Sequence, residues 1–190
     1  MNAPFSPPMA TAEPFRFTVD QFLALDDEGF FGDHAKTELL GGEIFVVNAQ
    51  YRPHARAKAA MVRSLEAMLG GSQWSVLTEL TVRLSPEDAP EPDIVVTNEP
   101  EGDGPVPAAS VGLLIEICDT THATDLKIKP RRYGASGISE YWVVDLVARE
   151  IVQHSTPTTT GYGKKENIAF GRPVVAVTIS ELKVDTAALD

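Results

Sequence analysis

Glu116 lies between Ile115 and Ile117 in Val111-Gly112-Leu113-Leu114-Ile115-Glu116-Ile117-Cys118, the most apolar run of the chain. A carboxylate buried in such a strand costs several kcal/mol unless it is paired, protonated or bound to a cation. The simple alternatives are a strand end facing water or a structural ion pair. Asp93 supports a functional explanation, because Pro92-Asp93-Ile94-Val95-Val96 puts a second acid beside apolar residues near the start of another strand. Two acids on neighbouring strands repel each other unless a divalent cation such as Mg²⁺ or Mn²⁺ lies between them, the usual oxygen-ligand arrangement for these ions. Lys129 is the third element. Asp125, Lys129 and Tyr133 are spaced i, i+4, i+8, so an unbroken helix after the Glu116 strand carries all three on one face. A lysine there can orient or deprotonate a water and stabilise charge developing on a phosphoryl group. An exposed Asp125–Lys129 pair worth a fraction of a kcal/mol is the plainer alternative.

The length and β-branched content of residues 111–118 predict a central strand buried on both faces. Asp93 to Thr97 reads as a second strand after a Pro-rich turn. A helix falls within Asp125 to Ser136, ended by Gly134 or Gly137, with Pro130 either kinking it or beginning it. Upstream, Thr18 and Gln21 have capping-box spacing ahead of Phe22, Leu23 and Leu25. Gly41-Gly42 between Glu38-Leu39-Leu40 and Glu43-Ile44-Phe45-Val46-Val47 reads as a β-hairpin. Met61, Val62, Leu65, Met68 and Leu69 predict a helix from His54 to Leu69, stopped by Gly70-Gly71. Val76, Thr78, Leu80, Val82 and Leu84 alternate as in one half-buried strand. Residues 98–110 read as a surface loop. Strands follow at Glu140 to Leu146 and Glu150 to Gln153, then a polar Thr/Gly loop, then a strand at Pro173 to Ile179.

At 190 residues, one domain over 15–190 is expected behind a Pro-rich, disordered tail at 1–14. Hydrophobic and charged fractions of 43% and 23% exclude a collagen-like, coiled-coil or wholly disordered chain. No apolar run approaches the ~18 residues that span a bilayer, and the start lacks a basic segment and an apolar h-region; a cytoplasmic address is expected. The single Cys118 permits no internal disulfide and no thiolate-rich zinc site, and reads as an inert small hydrophobe. A net charge of -11 makes the chain a poor general binder of polyanions. Its bases cluster, however, in Arg52, Arg56, Lys58 and Arg63 and in Lys127, Lys129, Arg131 and Arg132, which form a positive patch if they converge and two solvated helix faces otherwise. Trp74, Trp142, Tyr141 and Tyr133 read as packing residues. His34, His122 and His154 lack metal-ligand spacing and are expected at the surface. Gly102 and Gly104 lack the following helix or lysine that a phosphate cradle needs.

These residues together resemble the Uma-two family of restriction-endonuclease-like proteins, assigned to the PD-(D/E)xK nuclease superfamily. The matching words are Glu38-Leu39-Leu40-Gly41-Gly42-Glu43, His54 opening a helix, Pro92-Asp93, Leu114-Ile115-Glu116-Ile117-Cys118, Asp125 with Lys129 and Tyr133, and Gly137-Ile138-Ser139-Glu140-Tyr141-Trp142-Val143-Val144-Asp145. The resemblance runs from about residue 17 to about 155. It implies an α/β restriction-endonuclease-like core, a mixed β-sheet flanked by helices with the site at its open edge. It implies a metal-dependent endonuclease in which Asp93 and Glu116 bind Mg²⁺ (or Mn²⁺), the backbone carbonyl of Ile117 is a further ligand, and Lys129 assists the attacking water. Glu38, Glu43 and His54 match family positions at the edge of the site. The implied partner is nucleic acid, DNA first, with Arg52, His54, Arg56, Lys127 and Arg131 meeting it; the acidic body is consistent with a need for a partner or a homodimer. Two departures stand out. Cys118 occupies the superfamily's usual lysine position, so the cation must come from the following helix, and Pro130 disfavours the helical conformation at Lys129. The alternatives are a binding or regulatory module without turnover, which the net charge and Pro130 favour, and a metal-dependent hydrolase of another phosphate ester.

Overall fold

A computed structural model describes residues 13–32, 36–46, 50–119 and 124–189, without the side chains of 124 and 125. Most of the expected tail, His34, His122 and the Asp125 side chain therefore lie outside the described residues. Helix α1 (Val19–Asp27) begins with the expected capping box: Gln21 N donates to Thr18 Oγ1 at 3.3 Å and Thr18 N to Gln21 Oε1 at 3.0 Å. Strands β1 (Thr37–Leu40) and β2 (Glu43–Val46) form the hairpin, with Gly41 and Gly42 at φ 61° and 74°, the left-handed pair that a primed turn requires. Helix α2 (Arg52–Leu69) buries His54, Ala57, Met61 and Leu65 along one stripe. It starts before His54 because Pro53 suits a first helical turn.

The expected strand over 76–84 is broken. It forms β3 (Ser75–Thr78) and β4 (Val82–Arg83), since Glu79 between them has φ 53° and turns the chain out of the sheet. After β5 (Ile94–Thr97), the expected surface loop contains β6 (Val106–Pro107), which pairs in parallel with β4. Strand β7 (Val111–Cys118) is buried at every position, as a central strand must be. A π-helical turn (Thr124–Ile128) leads into α3 (Lys129–Ala135), and then come β8 (Glu140–Asp145), β9 (Glu150–Thr158) and β10 (Gly161–Ala169). The last two are a long hairpin: β9 extends the strand expected at Glu150 to Gln153, and β10 occupies the stretch expected as a polar loop. β10 is an outer strand with Lys164, Lys165 and Glu166 exposed, so apolar periodicity does not reveal it. The last predicted strand reduces to β11 (Val174–Val175), paired with β12 (Lys183–Val184).

The main sheet has the order β10-β9-β8-β7-β5-β3. Only β7 and β8 run parallel, joined through α3, so the sheet is mixed. On one face α2 packs Met61 and Leu65 with Ile94, Ile115, Ile117 and Trp142. On the other, Tyr133 of α3 packs with Val95, Leu114, Tyr141 and Val143. Strand alternation puts Glu116, between Leu114 and Cys118 of that second cluster, on the α3 side. Val19 and Phe22 of α1 join Leu39 and Ala89 in a smaller cluster that fixes the β1–β2 hairpin. Among the described residues no helix is long and apolar enough to cross a membrane.

Candidate active site

Strand β7 runs on past the start of β5. Ile94 pairs with Ile115, so Asp93, immediately before β5, lies next to Glu116 at the end of the ladder. Asp93 N donates to Glu116 Oε2 at 3.4 Å, and Ile117 N donates to Asp93 Oδ2 at 2.8 Å. The carbonyl of Cys118 accepts from Leu146 on the β8 side, so strand alternation turns the N–H and C=O of Ile117 towards β5 and Asp93. Asp93 and Glu116 are only 2% and 3% exposed, and such burial requires compensation.

Lys129 supplies it for Glu116. Its Nζ lies 2.7 Å from Glu116 Oε1 and 3.1 Å from Glu38 Oε1, and Tyr133 one turn later donates its hydroxyl to Glu116 Oε1 at 3.2 Å. Pro130 does not deflect the lysine. It falls in the first turn of α3, where a missing N–H costs no intrahelical bond, and the π turn before it replaces the unbroken helix expected from Asp125.

Asp93 is compensated from the other face of the sheet. His54 Nε2 lies 2.9 Å from its Oδ2, Gln50 Nε2 donates to Oδ1 at 2.9 Å, and Lys58 Nζ is 3.6 Å from Oδ1. Lys58 also binds Gln50 Oε1 and Glu79 Oε1, each at 2.8 Å. Burial alone would raise the Asp93 pKa, but the His54 hydrogen bond, the charge of Lys36 and the Ile117 N–H hold it well below the usual carboxylate range. His54 Nε2 therefore carries the hydrogen and donates; its buried Nδ1 has no hydrogen-bond partner among the described residues. Lys36 shows the opposite balance: burial pushes its pKa down, and the charges of Glu116, Glu38 and Asp93 override that and raise it. Glu91, whose N–H donates to Glu38 Oε1 at 3.1 Å, is pushed up to about 7, by burial first and then by Glu38 and Glu79 against the opposing pull of Lys36.

The structure thus brings Glu38, His54, Asp93, Glu116 and Lys129 together. Glu43 lies elsewhere. Glu38 pairs with Phe45 across the hairpin, whereas Glu43 faces Leu40 at the turn and binds Arg16 Nη1 at 2.7 Å in an exposed ion pair. Arg52, Arg56, Lys127 and Arg131 are exposed. The two basic segments do not converge, since α2 and α3 cover opposite faces of the sheet, and the inward lysine of each is spent on the carboxylates. His154, expected at the surface, is buried because β9 continues through it and stacks its ring between Tyr141 and Tyr162, at 5.7 and 5.6 Å. Sequence reasoning missed Lys36, Gln50 and the inward role of Lys58. The available signals were the i, i+2 alternation of Lys36 with Glu38 and the i, i+4 spacing of His54 with Lys58.

Among the described residues no set of three or more His, Cys, Asp or Glu side chains is arranged as a metal site. The carboxylates of Asp93 and Glu116 and the Ile117 carbonyl are hard oxygen donors, the chemistry that suits Mg²⁺ or Mn²⁺. A mixed sheet flanked by helices, with acids at its open end, is a nuclease-like α/β fold. The same fold occurs in a protein from Anabaena variabilis described as a "putative nuclease belonging to DUF820": its crystal structure matches with a TM-score of 0.71 at 18% identity over 91% of this chain and 97% of that one. The chain belongs to the Uma2 family, described as "Putative restriction endonuclease", whose model matches residues 19–186.

Proposed function

We propose that this chain is a metal-dependent endonuclease that hydrolyses phosphodiester bonds of nucleic acid, DNA first. The observation that carries this reading is the buried Asp93–Glu116 pair on adjacent strands with the Lys129 ammonium 2.7 Å from Glu116. Asp93, Glu116 and the Ile117 carbonyl would hold Mg²⁺ or Mn²⁺, which when bound polarises a phosphoryl oxygen and acidifies a water. Lys129, anchored by Glu116 and Glu38, orients the attacking water and meets negative charge developing on the phosphate. Tyr133 holds Glu116 in place, while His54 and Gln50 hold Asp93 ionised. Exposed Arg52, Arg56, Lys127 and Arg131 are available to phosphates on either side.

The test is incubation of purified protein with DNA and RNA in Mg²⁺, Mn²⁺ or EDTA, beside Asp93→Asn, Glu116→Gln and Lys129→Met. Metal-dependent cleavage is expected, lowered about 100-fold or more in each variant. Equal cleavage by all four proteins would mean a contaminant and overturn the assignment. A second reading, a nucleic-acid-binding module without turnover, is favoured by the engagement of Asp93 with His54, Gln50 and the Ile117 N–H and by the net charge of -11. It predicts metal-independent binding, no cleavage, and Mn²⁺ affinity unchanged by Asp93→Asn in calorimetry.

A further inference from the structure

Helix α2 has two chemically distinct faces. His54 and Lys58 turn inward to Asp93, whereas Arg52, Arg56 and Arg63 lie exposed at i, i+4 and i+11, one stripe spanning roughly 16 Å along the axis. From Tyr51 through Leu65 the helix contains no acidic residue, in a chain whose net charge is -11. At the end of the stripe nearest the site stands Tyr51. Its neighbours Gln50 and His54 both contact Asp93, yet its own side chain caps nothing and is 73% exposed. An exposed aromatic ring at the N-terminal end of a helix that carries a row of guanidinium groups, next in sequence to the Gln50 that binds Asp93, supplies the two elements that single-strand binders use: cations along the phosphates and an aromatic face for an unstacked base.

We infer that the outer face of α2 is a track for single-stranded nucleic acid, on which Arg52, Arg56 and Arg63 follow the backbone and Tyr51 stacks the base next to the bond presented to Asp93 and Glu116. This names the substrate class of the proposed nuclease site and rests on that reading for its direction of entry. A base paired inside a duplex keeps its face covered by its neighbours, so Tyr51 discriminates in favour of unpaired strands. The arginines, being sequence-blind, set affinity and its dependence on salt.

The experiment is fluorescence anisotropy in EDTA, with a labelled 20-mer as single-stranded DNA, as single-stranded RNA and as duplex DNA, beside cleavage assays on the same preparations. The full chain should bind either single strand more tightly than the duplex. Tyr51→Ala should weaken single-strand binding about tenfold or more and leave the melting temperature unchanged, while Tyr51→Phe should bind like the wild type. The triple variant Arg52→Gln, Arg56→Gln, Arg63→Gln should flatten the slope of log affinity against log salt by about 2. Duplex binding as tight as single-strand binding, single-strand affinity unchanged by Tyr51→Ala, or no binding of any oligonucleotide would each overturn the inference. If one of these occurs while the wild type still cleaves and Asp93→Asn does not, the track fails and the nuclease reading stands. Selective single-strand binding without cleavage has the opposite meaning: the track stands and the nuclease reading fails.

Discussion

Lys129 neutralises two carboxylates with one ammonium, 2.7 Å from Glu116 and 3.1 Å from Glu38, with all three side chains buried. Replacing it by methionine keeps an unbranched stem but removes the ammonium that both acids contact directly, leaving the more distant charge of Lys36. Breaking a buried pair in this way costs about 3 kcal/mol or more, which for a chain of this size lowers Tm by roughly 10 °C. Tyr133→Phe is the internal comparison. It removes one hydrogen bond of 3.2 Å to the same Glu116 oxygen and should cost about 1 kcal/mol, a few degrees in Tm. Calorimetric melting of both variants separates the effects; a Lys129→Met loss no larger than that of Tyr133→Phe would show that the ammonium is not what compensates Glu116.

Both of these side chains are carried by α3, so its docking governs the site. The helix approaches β10 through glycine: a Cβ at Gly134 would overlap the carbonyl of Gly161, while Gly161 itself has φ 138°, a conformation strained for other residues. Gly134→Ala must push the helix off the hairpin and is expected to cost about 1–3 kcal/mol and to lower cleavage through displacement of Lys129 and Tyr133. Gly102→Ala has open space around its Cβ and serves as the control with unchanged Tm. On its other flank α3 is tied by Arg132 to Asp88, whose Oδ1 also accepts from Gly41 N at 2.8 Å. That contact joins the helix bearing Lys129 to the hairpin turn behind Glu38, so three elements share one acid.

Part of the acid sensitivity of the chain resides at His154, outside the Asp93–Glu116 site. Burial, and secondarily the charge of Lys165, lower the His154 pKa from 6.5 to about 4. The unfolded chain therefore takes up this proton near pH 6.5 and the folded one only near pH 4, so stability is fully present above pH 6.5 and is lost as pH falls through that window, by up to about 3 kcal/mol. His154 Nε2 has no hydrogen-bond partner among the described residues, and the ring stacks on Tyr141 and Tyr162. His154→Phe keeps the stack and removes the proton site. Its Tm should vary less than that of the wild type between pH 6.5 and 4; parallel curves would assign the acid sensitivity to other groups.

Whatever depends on near neighbours along the chain was legible before the fold. The Thr18–Gln21 cap, the Gly41-Gly42 turn, the inward stripe of α2 and the two-sided burial of β7 follow from spacing and backbone preference over a few residues. So did the isolation of Glu116 in an apolar run and the presence of Asp93 at the head of another strand. Hidden were the features fixed by distant partners. Apolar alternation runs unbroken across the bend at Glu79, the outer strand β10 shows none, and His154 is buried only because Tyr141 and Tyr162 arrive from other strands. Lys129 was marked by its spacing after the Glu116 strand, but Lys36 and the inward turn of Lys58 were invisible, since they come from separate segments and only the packing of α2 and α3 on opposite faces of the sheet decides which acid each lysine meets. Local propensity acts through bonded geometry and short spacing, whereas compensation of a buried charge acts through space, and space is set by the folded sheet.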